Sequence, residues 1–388
     1  PERSLKFVHI TGSNGKGSTA AMLASVLTAA RYRTGLFTSP HLYRFNERFQ
    51  VNGTPIPDDA LDRIADRVLA AADTLPEHPT EFELMTAIGF LWFAEAGCDL
   101  VAVEVGLGGR LDSTNVIPAP EAAVITNIGL EHTAILGSTL AAIAAEKSGI
   151  LKSGCRAVLY GQSCEVGEVV ARVCAKKDIP LTVTDASQLT LLSSGLDGQR
   201  FTYRGSAPLL LPLLGDYQLR NAMTVLDTVD ALRAQGWNIS ADAVARGLAA
   251  ARWPGRLELV HRRPDLIIDG GHNPQCAQAL AASLRGLYGG KKLIFLIGVL
   301  ADKDWRSMVG EVLPLAKCIV TVRPESERAK DENELAAWVR AQGVPAEAHA
   351  SIGEALDVAL ALAGPEDVVC AWGSLYSVGE LRHCLGLC

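Results

Sequence analysis

The sequence lacks several features that would point to particular classes of protein. None of its nine cysteines forms a CxxC pair, which argues against a zinc site or a disulfide framework and favours reduced thiols. No apolar run approaches the ~20 residues that cross a bilayer. The formal net charge of −7 also argues against a dedicated nucleic-acid-binding protein, which would carry a basic face. We therefore expect a cytoplasmic protein that binds neither nucleic acid nor membrane.

No signal peptide is visible at the start of the chain. The sequence opens at Pro1 rather than Met, so it leaves open whether a segment precedes it.

Short β-rich runs alternate with helical stretches along the 388 residues, which predicts an α/β fold with a mostly parallel sheet. The apolar runs at 100–105 and 122–128 are typical of strands buried on both faces. Residues 40–57 show no helical period, and we predict a long ordered loop there.

The length favours two or three domains at roughly 150 residues each. We predict a first domain over residues 1–252, with a small antiparallel insertion near 188–214. The segment 253–256 breaks the pattern and is interpreted as a linker, because a new strand–helix series begins at 257–388.

The stretch HITGSNGKGST, residues 9–19, is similar to a phosphate-binding loop but differs from the usual G-x-x-x-x-G-K-[ST]. Counting back from Lys16, the first glycine should be residue 10, which is Ile10; the hydroxyl expected at residue 17 comes at Ser18. A strand before the loop and a helix after it would aim amide groups and the lysine charge at a phosphate. The alternative is a strand–helix turn with a solvent-exposed lysine.

Polar side chains follow three strands of the predicted sheet. Glu104 ends one buried strand, Ser39 follows a second, and Glu131 and His132 follow a third. Ligands of open α/β sheets gather at these strand ends, and oxygen donors there suit Mg²⁺. For each residue alone, a structural role in the following loop is the alternative.

Three further residues of the first domain have a structural alternative. Lys147 lies in the last turn of an apolar helix, where composition alone favours a lysine that complements the helix C-terminus. Asp112 and Asn115, in VEVGLGGRLDSTNV, are equally good turn formers.

In the second domain, LIIDGGHNP ends a buried strand with Asp269, His272 and Asn273. This cluster is placed for a ligand, although a helix N-cap and turn would also explain it. Arg256 lies in the linker, where it could reach a phosphate when domains close. Asp302 is a candidate cap of the next helix.

The chain resembles the Mur ligase superfamily, and within it the folylpolyglutamate synthase/dihydrofolate synthase family. The motifs that carry the resemblance occur in the family's order from His9 to about Tyr376: TGSNGKGST, FTSPHLYRFNERFQVNG, TEFELMTA, VEVGLGGRLDSTNV, EKSGIL, GDYQLRNA, WPGRLE, DGGHNP, GVLADKD and GSLY. Each motif alone is weak, but ten in order are specific.

The resemblance implies a fold and a set of site residues. The N-terminal domain would be a P-loop ATPase domain of Mur-ligase type, and the C-terminal one a Rossmann-like glutamate-ligase domain, with ATP between them. The implied ATP-binding residues are Gly12, Asn14, Gly15, Lys16, Gly17, Ser18, Thr19, Asn221, Arg256, Asp269 and His272. The implied ligands of two Mg²⁺ ions are Ser39, Glu104, His132 and Lys147, the lysine as a carbamate, and K⁺ is a further candidate. The implied substrate residues are Pro40, His41, Phe45, Phe82, Asp112 and Asn115.

The implied reaction is ATP-dependent amide ligation by a monomer, with Lys16, Lys147 and His132 as catalytic residues. A pteroate or folate carboxylate would be phosphorylated by ATP, and the amine of L-glutamate would then displace phosphate. The resemblance thus implies an ADP-forming acid–amino-acid ligase of folate biosynthesis. Whether it acts on dihydropteroate as well as on folates stays open. A peptidoglycan Mur ligase and a P-loop kinase or GTPase are the less favoured alternatives.

Overall fold

The computed structural model describes residues 1–387, and they divide into two compact units. The first unit comprises Pro1–Ser193, Gln199–Pro212 and Gln218–Arg252. The second comprises Ser194–Gly198, Leu213–Tyr217 and the chain from Trp253 onward. The described residues contain no helix that is long and apolar enough to cross a membrane.

The first unit is built on an eight-stranded sheet whose strand order is β4-β3-β2-β5-β1-β6-β7-β8. Its strands are β1 (Phe7–Thr11), β2 (Thr34–Phe37), β3 (Phe49–Val51), β4 (Thr54–Pro55), β5 (Leu100–Glu104), β6 (Ala122–Ile125), β7 (Arg156–Leu159) and β8 (Leu181–Val183). The six strands from β2 to β8 in this order are parallel. Every residue of β1, β5 and β6 is buried, as expected for central strands that are covered on both faces.

Helices connect these strands and continue to residue 250. They are α1 (Lys16–Ala29), α2 (Asp58–Ala72), α3 (Glu81–Glu95), α4 (Thr133–Leu136), α5 (Leu140–Lys147), α6 (Cys164–Lys177), α7 (Asp216–Ala234) and α8 (Ala241–Ala250). Local signals explain several of the starts. Thr80 and Glu83, for example, form a reciprocal capping box at the start of α3.

The prediction of a long loop over residues 40–57 is wrong. The segment contains a 3₁₀ helix, Phe45–Arg48, and the hairpin β3–β4, which adds to the sheet antiparallel to β2. Asn52 and Gly53 turn this hairpin with φ angles of 51° and 78°. An Asn-Gly pair is a hairpin signal, but strands this short carry little alternation. Sequence analysis also missed α4, α6 and β8.

The segment near 188–214 contains a three-stranded sheet with the order β11-β10-β9. Its strands are β9 (Leu189–Gly195), β10 (Gly198–Tyr203) and β11 (Leu209–Leu211). Strands β10 and β11 are antiparallel.

The second unit contains a six-stranded sheet whose order is β12-β13-β17-β14-β15-β16. The strands are β12 (Glu258–His261), β13 (Asp265–Asp269), β14 (Leu293–Ile297), β15 (Ala316–Val322), β16 (Ala346–His349) and β17 (Val368–Trp372). The helices are α9 (Pro274–Tyr288), α10 (Trp305–Val312), α11 (Glu332–Ala341), α12 (Ile352–Ala361) and α13 (Leu375–Cys384). All pairings in the sheet are parallel except that of the edge strand β12 with β13.

The edge strands β12 and β16 were not predicted from the sequence. The prediction that Asp302 caps α10 is wrong. Asp304 caps α10 by accepting the Ser307 amide at 3.3 Å. Asp302 instead forms an ion pair with Arg328 at 3.2 Å. Either aspartate fits the residue preference of an N-cap, and the register of the helix decides between them.

Candidate functional site

A glycine-rich turn joins β1 to α1, and its geometry requires glycine at two positions. Gly12 has a φ of 152°, and a Cβ there would lie 1.9 Å from Oγ1 of Thr126. Gly15 has a φ of 88°, and its Cβ would lie 2.6 Å from Oδ1 of Asn221. The backbone can follow this path because neither residue carries a side chain.

The turn is fastened to the residues that follow β6. The amides of Ser13 and Asn14 donate to the carbonyl oxygen of Asn127 at 2.7 and 3.2 Å. The Thr126 hydroxyl donates to the Asn14 carbonyl oxygen at 2.8 Å, and the Ser13 hydroxyl to that of Gly129 at 3.0 Å. The loop is therefore held by side chains as well as by its backbone.

Lys16 is the first residue of α1, and its ammonium group reaches back across the turn. It donates to the carbonyl oxygens of Gly12 at 3.0 Å and Ser13 at 3.3 Å. These contacts exclude the alternative of a lysine extended into solvent. The lysine charge therefore lies at the turn that leads into the N-terminus of α1, as a phosphate cradle requires.

The first turn of α1 also carries Gly17 and two buried hydroxyl residues, Ser18 and Thr19. The Gln218 side-chain amide donates to Oγ of Ser18 at 3.2 Å, and Nδ2 of Asn221 donates to Oε1 of Gln218 at 3.0 Å. Helix α7 therefore places Asn221, a predicted nucleotide residue, beside the loop. Within residues 1–387, Oγ1 of Thr19 is buried without a hydrogen-bond partner.

Ser39 and Glu104 lie together at the ends of the neighbouring strands β2 and β5. The Ser39 amide donates to Oε2 of Glu104 at 3.1 Å, and Glu104 is 5% exposed. Strand β5 pairs with β1, which leads into the glycine-rich turn. The predicted pair of oxygen donors is thus adjacent and one strand away from the loop.

Lys147 is buried at the end of α5, with 1% of its surface exposed. Its Nζ donates to the Gly12 carbonyl oxygen at 2.8 Å and lies 3.2 Å from Oε1 of Glu131. Burial, followed by the charge of Lys16, lowers the pKa of Lys147 to about 8 in spite of Glu131. The interpretation that Lys147 complements the end of its own helix is wrong, because its ammonium group binds the glycine-rich turn.

Glu131, the neighbour of His132 in the chain, contacts Lys147. Burial raises the pKa of Glu131, but the charges of Lys16 and Lys147 and the hydrogen bonds from Ser13 and Lys147 outweigh it, so the net pKa is lowered. His132 directly precedes α4 and has a φ of 46°. Its carbonyl oxygen accepts hydrogen bonds from the backbone amides of Ile135 and Leu136.

Three of the four predicted metal ligands lie in two contacts, one of which includes Glu131. Ser39 lies against Glu104, whereas Lys147 lies against Glu131. Nowhere in residues 1–387 do three His, Cys, Asp or Glu side chains form a group that could hold a metal ion. The structure brings the two residues of each pair together.

The predicted substrate residues around Phe45 form an aromatic cluster. The Phe45 ring lies 5.9 Å from the His41 ring and 5.6 Å from the Phe49 ring. Nε of Arg48 donates to Nδ1 of His41 at 2.9 Å. Pro40 precedes this cluster and follows Ser39 through a cis peptide bond.

Phe82 lies on α3 and packs on the end of β5. Its ring centroid is 6.1 Å from that of Phe37, and a Cβ at Gly106 would lie 2.5 Å from its Cζ. This contact places Phe82 beside the segment that follows Glu104.

Asp112 and Asn115 are engaged by their own loop. The Asp112 carboxylate accepts the amides of Leu107 at 2.9 Å and Thr114 at 3.0 Å. The side-chain Nδ2 of Asn115 donates to the carbonyl oxygens of Arg110 at 3.2 Å and Gly149 at 3.3 Å. These hydrogen bonds support the alternative that both residues form the turn.

In the second unit, the Asp269 carboxylate joins the end of β13 to the segment after Trp253. It is 4% exposed and accepts the amides of Leu257 at 2.9 Å and Gly271 at 2.8 Å. Burial raises the pKa of Asp269, although the charge of Arg256 opposes this shift. The structure therefore brings Arg256 and Asp269 together.

His272 and Asn273 follow Asp269 at the start of α9. Nδ1 of His272 lies 3.0 Å from the Gly270 carbonyl oxygen. Oδ1 of Asn273 accepts the Cys276 amide at 2.8 Å, so Asn273 caps α9. Asn273 thus acts as a helix N-cap, which was the structural alternative to a ligand contact.

Sequence analysis missed several residues that shape the two sites. Thr126 and Gln218 hold the loop and Ser18, and Tyr217 hydrogen-bonds to Asp269. Gln218 lies one helical turn before Asn221 in YQLRNA, and that spacing could have indicated it. Nothing in the local sequence indicates that Thr126 closes the loop, because the two segments are far apart in the chain.

Two family models match the chain. The Mur ligase middle domain matches residues 10–229, and the Mur ligase glutamate ligase domain matches residues 255–375. A folylpolyglutamate synthase of Lacticaseibacillus casei is 34% identical over 398 residues, covering 99% of this chain and 91% of the relative. The chain belongs to the folylpolyglutamate synthase/dihydrofolate synthase family of Mur ligases.

Solved structures of family members agree with this assignment. The Mycobacterium tuberculosis folylpolyglutamate synthase, solved with ADP and AMPPCP, has a TM-score of 0.91 at 33% identity and covers 100% of this chain and 92% of its own. A bifunctional folylpolyglutamate synthase/dihydrofolate synthase of Yersinia pestis, solved with AMPPNP and a Mn ion, has a TM-score of 0.87 at 30% identity, with 100% and 90% coverage. The predictions of the family, of an α/β fold with mostly parallel sheets and of a ligase are confirmed.

Proposed function

We propose that this protein is an ATP-dependent ligase that joins L-glutamate to dihydropteroate, to folate (poly)glutamates, or to both. The observation that carries the proposal is the turn between β1 and α1, where Lys16 begins the helix and its ammonium group reaches back over the turn. Membership of a family of ADP-forming ligases supports it, as do relatives solved with ADP, AMPPCP and AMPPNP.

In the proposed reaction, a carboxylate oxygen of the pteroate or folate attacks the γ-phosphorus of ATP, and ADP leaves. The nitrogen of the glutamate amine then attacks the carbonyl carbon of the acyl phosphate, loses its proton and displaces inorganic phosphate. Lys16 and the amides at the start of α1 would stabilise the charge on the transferring phosphoryl group. Asn14, Gly17, Ser18 and Thr19 would complete the phosphate site, and the buried Oγ1 of Thr19 is a polar atom that a bound nucleotide could satisfy.

The remaining nucleotide contacts are proposed from the second unit and α7. Asn221 lies beside Gly15, and Arg256 lies near Asp269. We propose that Asp269 and His272 contact the nucleoside and that Arg256 contacts phosphate. The arginine suits this role because its charge and its fork of donors match phosphate oxygens.

The residues at the strand ends fit a divalent cation in part. Ser39 and Glu104 are adjacent oxygen donors of the kind that Mg²⁺ prefers, and a relative was solved with Mn. Bound there, Mg²⁺ would neutralise charge on the phosphate oxygens. Lys147 as a carbamate would add oxygen donors beside the loop, and we propose this modification because its amine is buried against the Gly12 carbonyl oxygen. His132 as a ligand, and a second Mg²⁺ or a K⁺ ion, also remain proposals.

Two candidate activities follow from the relatives, since some are named folylpolyglutamate synthase and others combine this with dihydrofolate synthase. We favour the bifunctional enzyme. We also propose that it is a monomer and that it is located in the cytoplasm. Purified protein should be incubated with ATP, Mg²⁺, L-glutamate and either dihydropteroate or tetrahydrofolate, and both ADP and the amide should be measured. Amide from both acceptors supports bifunctionality, and amide from tetrahydrofolate alone supports the narrower activity. ADP formation without any amide would contradict the proposed function.

A further inference from the structure

Glu47 lies in the 3₁₀ helix Phe45–Arg48, and its carboxylate binds backbone amides of the preceding loop. Its Oε2 accepts the Leu42 amide at 2.7 Å. Its Oε1 accepts the amides of Tyr43 at 3.1 Å and Arg44 at 2.8 Å. One carboxylate thus serves three consecutive amides of the loop His41–Arg44.

The loop lies between two groups of candidate site residues. It follows Ser39, whose amide is tied to Glu104, and it precedes Phe45, whose ring lies 5.9 Å from His41. The position of the loop therefore decides where the candidate substrate residues lie relative to one another.

Other contacts hold the two ends of this segment. Arg44 forms an ion pair with Asp58 at 2.7 Å, and Asn46 donates to the Ile56 carbonyl oxygen at 2.7 Å. Arg48 donates to His41. At Leu42 and Tyr43, in the middle of the segment, the backbone amides donate to Glu47.

A carboxylate suits this position better than a neutral side chain does. Both oxygens of an ionised carboxylate accept hydrogen bonds, and those bonds are stronger for the charge. A glutamine would keep one acceptor oxygen and turn an NH₂ group towards amide donors. Since Tyr43 and Arg44 are exposed, water can replace the lost acceptor, so the loop should lose order while the rest of the unit stays folded.

We propose that Glu47 is a positioning residue for binding of the pteroate or folate substrate, because it holds the loop His41–Arg44 in the conformation that the substrate needs. The proposal rests on the proposed function for the identity of the substrate. The hydrogen bonds that carry it do not depend on that identity.

The test uses Glu47→Gln in the full chain, with Asp331→Asn as the matched control. Asp331 also serves two backbone amides, those of Asn333 and Glu334, at the start of α11 in the second unit. Hydrogen exchange without substrate should be at least about tenfold faster at Leu42, Tyr43 and Arg44 in Glu47→Gln, and unchanged there in the control. Unchanged exchange at these three amides would overturn the proposal.

Steady-state kinetics supply the second readout. If the competent loop conformation falls to a tenth of molecules, the KM for the pteroate or folate should rise about tenfold. The KM values for ATP and glutamate should stay within about twofold of the wild type, which a general structural defect would not allow. A KM for the folate substrate that stays unchanged, or equal losses in all three, would overturn the proposal. A wild-type protein that forms no amide would refute the proposed function instead, and the exchange data would still decide whether Glu47 holds the loop.

Discussion

The ammonium group of Lys147 donates a hydrogen bond to the carbonyl oxygen of Gly12 across 2.8 Å. The two residues lie 135 positions apart in the chain. They meet at the glycine-rich turn, where the ammonium group of Lys16 also binds the Gly12 carbonyl oxygen. Two lysine ammonium groups therefore share one carbonyl oxygen, and Glu131 offsets part of their charge. The loop is thus a site where positive charge is concentrated and buried.

Replacing Lys147 with alanine should abolish ligation. The substitution removes the buried amine that we propose to be carbamylated, and added small carboxylates such as acetate or formate should partly restore activity by filling its place. Amide formation with and without carboxylate checks this. Lys317→Ala is the control, because Lys317 pairs with Asp367 in the second unit and is half-exposed. Full activity of Lys147→Ala without any carboxylate would refute the carbamate role.

Gly12→Ala should destabilise the first unit and abolish nucleotide binding. The new Cβ would meet Oγ1 of Thr126, and the φ of 152° strains any L-residue. Together these effects should cost about 3 kcal/mol of unfolding free energy. Gly53→Ala is the matched control: its φ is 78°, but no atom lies within 4 Å of the new Cβ, so about 1 kcal/mol should be lost. Denaturant unfolding measures both, and equal losses in the two variants would contradict the proposed clash.

His9 should make the stability of the protein depend on pH. The residue is fully buried in β1, and burial, followed by the charge of Lys152, lowers its pKa from 6.5 to about 3. Because the unfolded chain binds this proton more readily, stability should be complete above pH 6.5 and should fall as the pH drops towards 3. Between pH 7 and 5.5, this single group should cost about 1 kcal/mol.

The measurement is denaturant unfolding of the wild type and of His9→Gln at both pH values. The glutamine variant should lose about 1 kcal/mol less than the wild type on acidification, whatever its stability at pH 7. Equal losses in the two proteins would show that His9 is not the responsible group.

The sequence predicted those parts of the molecule that have a strong local or ordered signal. The buried strands β1, β5 and β6 follow from apolar runs, and the tight turn between β1 and α1 follows from its glycines. The ten ordered motifs led to the family. The position of each candidate residue at a strand end follows from the topology of parallel sheets.

The remaining features depend on contacts between distant segments. Composition favoured a helix-end role for Lys147, and its burial against Gly12 appears when α5 is packed beside the turn. Glu131 lies 16 residues before Lys147 in the chain, and its contact with the lysine depends on how the segment after β6 packs against α5. The hairpin β3–β4 was missed because strands of two or three residues carry too little alternation to be recognised.

The central claim is that the carboxylate is activated as an acyl phosphate by the loop that carries Lys16. Its most direct test is oxygen transfer: the folate or pteroate carboxylate is labelled with ¹⁸O, and the inorganic phosphate released with ATP and L-glutamate is analysed by mass spectrometry. We predict that the wild-type protein places one ¹⁸O atom in each phosphate released with the amide. The folded Lys16→Ala variant should release no labelled phosphate. Amide formation with unlabelled phosphate, or wild-type turnover by Lys16→Ala, would contradict the account.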